Sequence, residues 1–268
     1  MNGIRRLVAS FALVASACAT VVTVPSLPTP EAAAALAPTG RLRVGVYAGS
    51  PTSYIPGEGG AAPRGIAYDL GEKLAHQSRL PFEPVVFPSN DKLLDAVKAG
   101  TVDLVFTNAT AARAQFIDFT PTVLALDKSY LVPPASTIRE AAQVDRSGVR
   151  IGVSRGSSTE GELKHILKHA TLVPVPSLDE AIRAMSRGEL DAFGTNNAIL
   201  FQMSDRLPGS RVLDGRWGAE AFAFGIPKGR AAAMPYLGRF VQEQIDARGV
   251  RAAAERAGVR GLSTEAIR

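Results

Sequence analysis

Cysteine is almost absent from this chain of 268 residues, because Cys18 is the single one. Since Cys18 lies in an apolar N-terminal segment, the sequence excludes a disulfide framework, a cysteine nucleophile and a thiolate metal site in the folded part of the chain. Aromatic residues are also sparse, at 6%, and the formal net charge of +5 comes from scattered basic residues. This composition favours a soluble protein with some attraction for anions over a nucleic-acid-binding surface.

Histidine is scarce as well, and none follows His169. The stretch Gly152–Gly156 (GVSRG) matches the G-x-S-x-G turn of serine hydrolases, but such an enzyme needs a histidine far downstream of the serine. Ser154 is therefore interpreted as a turn residue of a binding cleft. His165 and His169 have the spacing of half a metal site on a helix, yet the lack of a nearby acid favours a solvated basic face. We predict no catalytic residue, cofactor or metal.

The N-terminus has the pattern of a secretory signal, in which two arginines precede the apolar run 7–24. That run is at the short end of the roughly 17 to 25 residues that a membrane-spanning helix needs, so export is favoured over anchoring. The cleavage site stays open: an A-x-A pattern and a lenient lipobox both involve Cys18, and a cut near Ala35 would also fit. We assign residues 1–39 to signal peptide and linker. The protein is predicted to be periplasmic or otherwise extracytoplasmic, with a lipid at Cys18 if the lipobox is used.

Two segments of the chain, Ser89–Asn108 and Ser177–Asn196, align without a gap. The identical pairs include Ser89 and Ser177, Gly100 and Gly188, Asp103 and Asp191, and Asn108 and Asn196. Each copy predicts an amphipathic helix that is capped by its serine, ends at its glycine and leads into a short apolar strand. The sequence therefore contains an internal duplication.

A second repeat supports the duplication, because Val44–Ser50 (VGVYAGS) resembles Ile151–Ser157 (IGVSRGS). Each reads as a buried strand and a Gly-Ser turn, followed by predicted helices over 69–78 and 159–170. Strands that alternate with helices are typical of parallel sheets, so two similar α/β lobes are expected. Ligands bind beyond the carboxyl ends of such strands. The loops expected to line a shared cleft are 47–54, 107–113, 154–159 and 195–197.

Several motifs occur in the order found in a known family. Asp103–Thr120 (DLVFTNATAARAQFIDFT) resembles the segment of type II periplasmic binding proteins of amino-acid ABC transporters, solute-binding family 3, in which T-x-x-R is followed by D-F-[ST]. Gly65–Leu70 (GIAYDL) is similar to the family's G-F-D-V-D-L, and Gly188–Ala192 (GELDA) and Phe222–Gly229 (FAFGIPKG) are similar to its second-lobe motif and return crossover. The resemblance covers essentially residues 40–260.

The resemblance implies a two-lobed α/β fold of the type II periplasmic-binding-protein kind, in which each lobe is a mainly parallel sheet flanked by helices and two hinge strands join the lobes. Lobe 1 would comprise residues 40–128 and 228–268, and lobe 2 residues 134–221. The hinges would lie near 129–133 and 222–227. It also implies a monomer that closes on its ligand and is then recognised by an ABC permease in the membrane.

The resemblance further implies that Thr110 and Arg113 hold a ligand carboxylate. A planar guanidinium can bind both carboxylate oxygens, which agrees with this role. The alternatives for Arg113 are an exposed surface arginine or an ion pair with Asp118. The remaining residues assigned to the same end of the ligand are Asn108, Ser157 and Ser158, although simple helix capping is an equal alternative for the two serines.

Two departures from the family's pattern concern the rest of the ligand. The acid that pairs with a ligand α-ammonium falls at Asn196, where a neutral amide cannot make the charge-assisted bond. The stacking aromatic falls near Asn90, which leaves Tyr47 and Tyr54 as the nearest rings, and both could equally be packing residues. We therefore expect a carboxylate or other small oxyanion, an amino acid or related organic acid, whose amino group is in doubt.

Two other functions fit the same fold. One is a periplasmic dehydratase resembling the cyclohexadienyl dehydratases, in which an acid in the cleft, Glu160 or Glu220, would protonate a leaving hydroxyl. The other is a periplasmic adaptor that has lost transport.

Overall fold

The computed structural model describes residues 27–262, so the predicted signal run and Cys18 lie outside the described residues. Its helices are α1 (Pro30–Leu36), α2 (Ile66–Gln77), α3 (Asn90–Lys98), α4 (Ser158–Ile166), α5 (Leu178–Ser186), α6 (Asn197–Arg206), α7 (Met234–Asp246) and α8 (Gly249–Arg256). Its strands are β1 (Leu42–Tyr47), β2 (Phe82–Phe87), β3 (Leu104–Asn108), β4 (Ile117–Phe119), β5 (Leu124–Val132), β6 (Arg150–Ser154), β7 (Thr171–Val175), β8 (Ala192–Asn196), β9 (Arg211–Val212) and β10 (Gly218–Pro227).

The strands of the described part form one mixed sheet in the order β2-β1-β3-β10-β5-β8-β6-β7, with β4 beside β10 and β9 beside β5. At one end β1 pairs in parallel with β2 and β3, and at the other β6 pairs in parallel with β7 and β8. Strands β5 and β10 lie between these ends and are antiparallel to each other. The predicted fold class, two α/β lobes joined by two strands, is confirmed.

The two central strands pass from one end of the sheet to the other. Strand β5 pairs with β10 up to Lys128 and with β8 from Lys128 onward, while β10 pairs with β5 up to Phe222 and with β3 from Phe222 onward. Each strand therefore changes partner at one residue. The predicted hinges, near 129–133 and 222–227, begin next to these two residues, and the division into lobes at those positions stays a prediction.

Each end of the sheet has its own apolar core. Around the first lie buried side chains such as Leu42, Leu74 and Phe224, and around the second Phe193 and Leu200. The apolar stripes of the duplicated helices are buried as predicted: Leu93, Leu94 and Val97 in α3, and Ala181, Ile182 and Met185 in α5. No helix within residues 27–262 is long and apolar enough to cross a bilayer.

The caps of the duplicated helices differ in one respect from the prediction. Ser177 accepts a hydrogen bond from the backbone amide of Glu180 at 3.1 Å, as expected for a helix cap. Ser89 instead donates its hydroxyl to the carboxylate of Asp91, so it makes no side-chain cap. The second copy has the corresponding acid, Asp179, but its carboxylate pairs with Arg206 at 2.8 Å, and Ser177 caps the helix.

Helix α4 is shorter than the predicted helix over 159–170. It ends at Ile166 because the carboxylate of Asp145 accepts hydrogen bonds from the backbone amides of residues 168–170, at 2.8 to 2.9 Å. His169 therefore lies beyond the helix that carries His165, and the i, i+4 relation between the two histidines is not realised on one helix.

Helix α1 lies within the segment assigned to signal peptide and linker. Thr29 caps it, a proline begins it, and its alanines favour the helical conformation. Ala32 and Leu36 pack into the core of the first lobe, and Leu36 is fully buried. The fold thus begins before residue 39, and a cut near Ala35 would divide a packed helix.

Candidate functional site

A cavity lies between the two lobes, where the carboxyl ends of the parallel strands meet. All four loops expected from the sequence contribute residues to its wall. The predicted residues that line it are Tyr47, Asn108, Arg113, Ser157, Ser158 and Asn196. Side chains that were not predicted as ligand contacts for a binding protein also line it, among them Phe106, Thr159, Glu220 and Phe222.

Arg113 is buried at the start of a short 3-10 helix after β3, with 6% of its surface exposed. Its Nη1 donates to the Thr107 hydroxyl at 2.6 Å and to the Asn108 carbonyl at 3.3 Å. Within residues 27–262 it forms no ion pair, and the alternative partner Asp118 pairs with Lys228 at 3.7 Å. Burial lowers the pKa of Arg113, and the negative charge of Glu220 offsets this effect only in part. A ligand anion would compensate this charge.

Thr159 places a buried hydroxyl without a hydrogen-bond partner in the cavity wall. It lies in the first turn of α4 and is 1% exposed. Its hydroxyl has no hydrogen-bond partner in the described part of the chain. Because a buried hydroxyl without a partner is costly, Thr159 points to a ligand atom that completes its bonding. The sequence predicts ligand contacts for the neighbouring serines but not for Thr159.

The two predicted serines have different tasks. Ser157 caps α4 by accepting a hydrogen bond from the backbone amide of Glu160 at 3.1 Å. Helix capping, the alternative to ligand binding, is therefore realised for Ser157, although this residue still lines the cavity. The Ser158 hydroxyl donates to a carboxylate oxygen of Glu220 at 2.9 Å.

Asn196 uses both ends of its amide. Its oxygen accepts a hydrogen bond from the backbone amide of Ile199 at 3.1 Å, which caps α6, and its nitrogen donates to the other carboxylate oxygen of Glu220 at 3.1 Å. Glu220 is 7% exposed and lies on β10. From the sequence, Glu220 is only a candidate acid for a dehydratase. Its signal was strand alternation, since Glu220 and Phe222 are buried on one face while the alanines between and before them are exposed.

Two predicted ligand residues lie outside the cavity. Thr110 lines an adjoining groove, and its hydroxyl accepts a hydrogen bond from the backbone amide of Arg113 at 3.3 Å. Thr110 therefore shapes the turn that carries the guanidinium. Tyr54 packs against the core of the first lobe, with its ring 5.6 Å from that of Tyr68. The packing alternative is the one realised for Tyr54.

Tyr47 lines the cavity together with its two charged groups. Burial raises the pKa of its phenol, the carboxylate of Glu220 raises it further, and the guanidinium of Arg113 lowers it. The hydroxyl therefore stays protonated at neutral pH. The aromatic wall itself is formed by Phe106 and Phe222, whose rings stack with centroids 5.6 Å apart.

A sequence comparison identifies the family to which the chain belongs, and it agrees with this geometry. The model of the bacterial extracellular solute-binding proteins, family 3, matches residues 42–246. The chain belongs to this family. The match spans both lobes and both central strands, so it includes every group described in the cavity.

Relatives of this family 3 protein include proteins named for amino acids. It is 26% identical over 189 residues to the amino-acid-binding protein AabA of Dichelobacter nodosus, covering 68% of this chain and 73% of AabA. It is 24% identical over 166 residues to the glutamine-binding protein of Geobacillus stearothermophilus, covering 61% of this chain and 62% of that protein.

Solved structures share the fold of this family 3 protein at low identity. A mutant of ArgBP from T. maritima superposes with a TM-score of 0.75 at 17% identity, covering 85% of this chain and 99% of that one. The ancestral amino acid-binding protein AncCDT-1, described as a precursor of cyclohexadienyl dehydratase, superposes with a TM-score of 0.71 at 20% identity, covering 82% of this chain and 96% of that one.

The two lobes of the family 3 protein approach each other closely at two places. A β-carbon added to Gly156 in the second lobe would lie 3.0 Å from the β-carbon of Asp91 in the first. One added to Gly49 in the first lobe would lie 3.2 Å from a methyl carbon of Leu178 in the second. The structure therefore represents a closed arrangement. Within residues 27–262 there is no cluster of His, Cys, Asp and Glu side chains that could hold a metal ion.

Proposed function

We propose that this protein is the extracytoplasmic solute-binding component of an ABC transporter, which binds a small carboxylate-bearing ligand, an amino acid or a related organic acid, in the cavity between its lobes. The observation that carries the proposal is Arg113, a buried guanidinium that forms no ion pair in the described part of the chain and that lines the cavity between the lobes. The names of the relatives, amino-acid-binding and glutamine-binding, support the same class of ligand.

The ligand carboxylate would bind between the lobes. Arg113 approaches from the first lobe with a planar donor that suits two carboxylate oxygens. Thr159 approaches from the second lobe with a hydroxyl that otherwise lacks a partner. A carboxylate held by both links the lobes, which favours the closed arrangement over an open one.

Opening and closing would take place where the central strands change partner, at Lys128 and Phe222. The permease would recognise the closed, liganded form, and the protein would act as a monomer that performs no chemistry on its ligand. Export fits the extracellular family, and a lipid at Cys18 would keep the protein at the membrane surface.

A thermal-shift panel tests this function. The purified protein would first be analysed by native mass spectrometry for a bound small molecule, and then be heated with amino acids, 2-hydroxy acids and 2-oxo acids. A ligand at roughly a hundred times its Kd stabilises the folded state by about 2.7 kcal/mol. If no carboxylate in the panel raises the Tm and no small molecule copurifies, the proposed function is wrong.

A dehydratase is the second candidate, and Glu220 is the observation that favours it, because it is an acid inside the cavity. Glu160 does not line the cavity. Burial alone would raise the pKa of Glu160, but hydrogen bonds from Lys164 and the backbone of Gly156 hold it below its usual range. Glu160 is therefore a poor proton donor. Incubation with prephenate or arogenate distinguishes the two functions, since only a dehydratase releases an aromatic product.

A further inference from the structure

We propose that Glu220 selects a zwitterionic ligand: its carboxylate binds a protonated amine of the same molecule whose carboxylate is bound by Arg113. The inference rests on the proposed function, because it concerns the other end of the ligand in the same cavity. The neutral side chain of Asn196 left it open whether the ligand carries an amino group, and Glu220 supplies the negative charge that such a group would need.

The first step concerns the bonds that Glu220 already makes. Each carboxylate oxygen accepts one hydrogen bond, from the Ser158 hydroxyl at 2.9 Å and from the Asn196 amide at 3.1 Å. An ionised carboxylate has about four acceptor positions, so about two remain. Both donors are neutral, and Glu220 forms no ion pair with a cation in the described part of the chain.

The second step concerns the pairing of opposite charges. Arg113 and Glu220 are 6% and 7% exposed and line the same cavity, yet they form no ion pair with each other. The negative charge of Glu220 raises the pKa of Arg113, but this attraction without a direct contact does not outweigh the effect of burial. Both charges therefore remain costly to maintain unless something joins them. A molecule with one carboxylate and one ammonium group would place a partner against each. A plain carboxylic acid would pair with Arg113 and leave Glu220 buried without a cation.

The third step explains why residue 196 is an amide. An acid at this position would put a second carboxylate within hydrogen-bonding distance of Glu220, and the two would repel each other. The amide of Asn196 instead donates to Glu220 and fixes its orientation, while its oxygen caps α6. Asn196 therefore supports the charged group and does not supply it.

Matched ligand pairs test the inference. Isothermal titration calorimetry on the purified protein would compare each L-amino acid with the 2-hydroxy acid of the same carbon skeleton. Because a hydrogen bond to a charged group is stronger than a neutral one, we expect the wild-type protein to bind the amino acid of a pair about tenfold or more tightly. This measurement needs no variant. A wild-type preference for the hydroxy acids would overturn the inference.

A charge-removing variant provides the second arm. Glu220→Gln should lose about tenfold or more in affinity for the amino acid and little for the hydroxy acid. Glu243→Gln, an exposed position on α7, is the matched control and should bind as the wild-type protein does. The double variant Asn196→Asp with Glu220→Gln returns an acid to the same wall and should recover amino-acid binding.

The outcomes separate this inference from the proposed function. Unchanged amino-acid affinity in a folded Glu220→Gln protein refutes the role of Glu220 and leaves the solute-binding function standing. Failure of the wild-type protein to bind any amino acid or hydroxy acid removes the proposed function, and the inference with it.

Discussion

Arg43 holds both carboxylate oxygens of Asp103, with its Nε 2.9 Å from Oδ2 and its Nη2 2.7 Å from Oδ1. The backbone amide of Arg43 also donates to Asp103 at 3.0 Å, and Nη2 reaches the carbonyl of Gly100 at 2.9 Å. A second guanidinium, that of Arg230, donates to Asp103 at 2.6 Å. This cluster ties the first strand to the turn that follows α3.

The second lobe repeats the arrangement. Arg150 donates to Asp191 from its backbone amide at 2.8 Å and from Nε at 2.9 Å, and to the Gly188 carbonyl at 2.6 Å. Gly100 and Gly188 both have φ of +67°, a backbone conformation that favours glycine. The duplicated Gly-x-x-Asp is therefore explained by one structural task that is performed twice.

The two aspartates should differ in their contribution to stability. The side chain of Asp103 is fully buried and has two arginine partners, whereas that of Asp191 is 36% exposed and has one. Asp103→Asn should lower the free energy of unfolding by about 3 kcal/mol, since it breaks a buried pair. Asp191→Asn should cost about 1 kcal/mol or less. Urea denaturation measures both, and equal losses would contradict the burial argument.

Asp103 should also make stability depend on pH. Burial alone would raise the pKa of Asp103, but hydrogen bonds from Arg43 and Arg230 bring it below the usual value. Its stabilising contribution is therefore present above the pKa of the unfolded chain, about 4, and is lost as the pH falls through the lower folded-state pKa. We expect the wild-type protein to lose more unfolding free energy over this acid range than Asp103→Asn. Parallel pH curves for the two proteins would refute the prediction.

The fold could be predicted because its signals are local and repeated. The stripe of apolar residues in α3 recurs in α5, and the terminating glycines recur at the same offset. Such patterns specify helices, strands and their order without knowledge of distant contacts. Helix α1 was not predicted, because its alanines also fit the linker that follows a signal peptide. Only its packing against the first lobe distinguishes a helix of the fold from such a linker.

The candidate site was predicted in part for the same reason. Arg113 follows a strand within a motif, so its place at the cavity could be inferred from its own neighbours. Glu220 could not, because its partners Ser158 and Asn196 are 62 and 24 residues away and come together only in the folded sheet. Tyr54 lies near the cavity residues in the sequence, but distance along the chain does not show that its ring packs against the core of the first lobe.

Arg113→Ala should abolish ligand binding and leave the protein folded. The substitution removes the buried donor that faces the ligand carboxylate, so the thermal shift with the best ligand should disappear. The ligand-free protein should keep its Tm or gain stability, because the cation is buried without an ionic partner in the described residues. Arg139→Ala, at an exposed position, is the control. A retained thermal shift in Arg113→Ala would remove this residue from the site.

Helix α1 should be part of the mature protein. Leu36 is fully buried, and replacing such a leucine by alanine typically costs about 2 to 5 kcal/mol. We therefore expect a chain that begins at Leu27 to be several °C more stable than one that begins at Gly40. N-terminal sequencing of the exported protein should place the cut before Thr29. A mature terminus at residue 40 with unchanged stability would contradict this prediction.

Lys128 and Glu162 should respond unequally to removal of their charges. Lys128 lies where β5 changes partner, is 1% exposed, forms an ion pair with Glu162 and lies 4.6 Å from the ring of Trp217. The side chain of Glu162 is 41% exposed, so it remains solvated when its partner is lost. Glu162→Gln leaves a buried ammonium with only the ring as compensation, and should cost about 3 kcal/mol.

Lys128→Met, in contrast, replaces the buried ammonium by an apolar side chain of similar length and frees a carboxylate that water can reach. Its cost should be clearly smaller than that of Glu162→Gln, because no charge is left buried. The double variant should resemble Lys128→Met alone, since the ammonium that makes the glutamine substitution costly is then absent. Guanidinium denaturation of the three proteins checks this order. If Lys128→Met were the most damaging change, the lysine would stabilise the crossing strand through its packing and its contact with Trp217, and not through its ion pair.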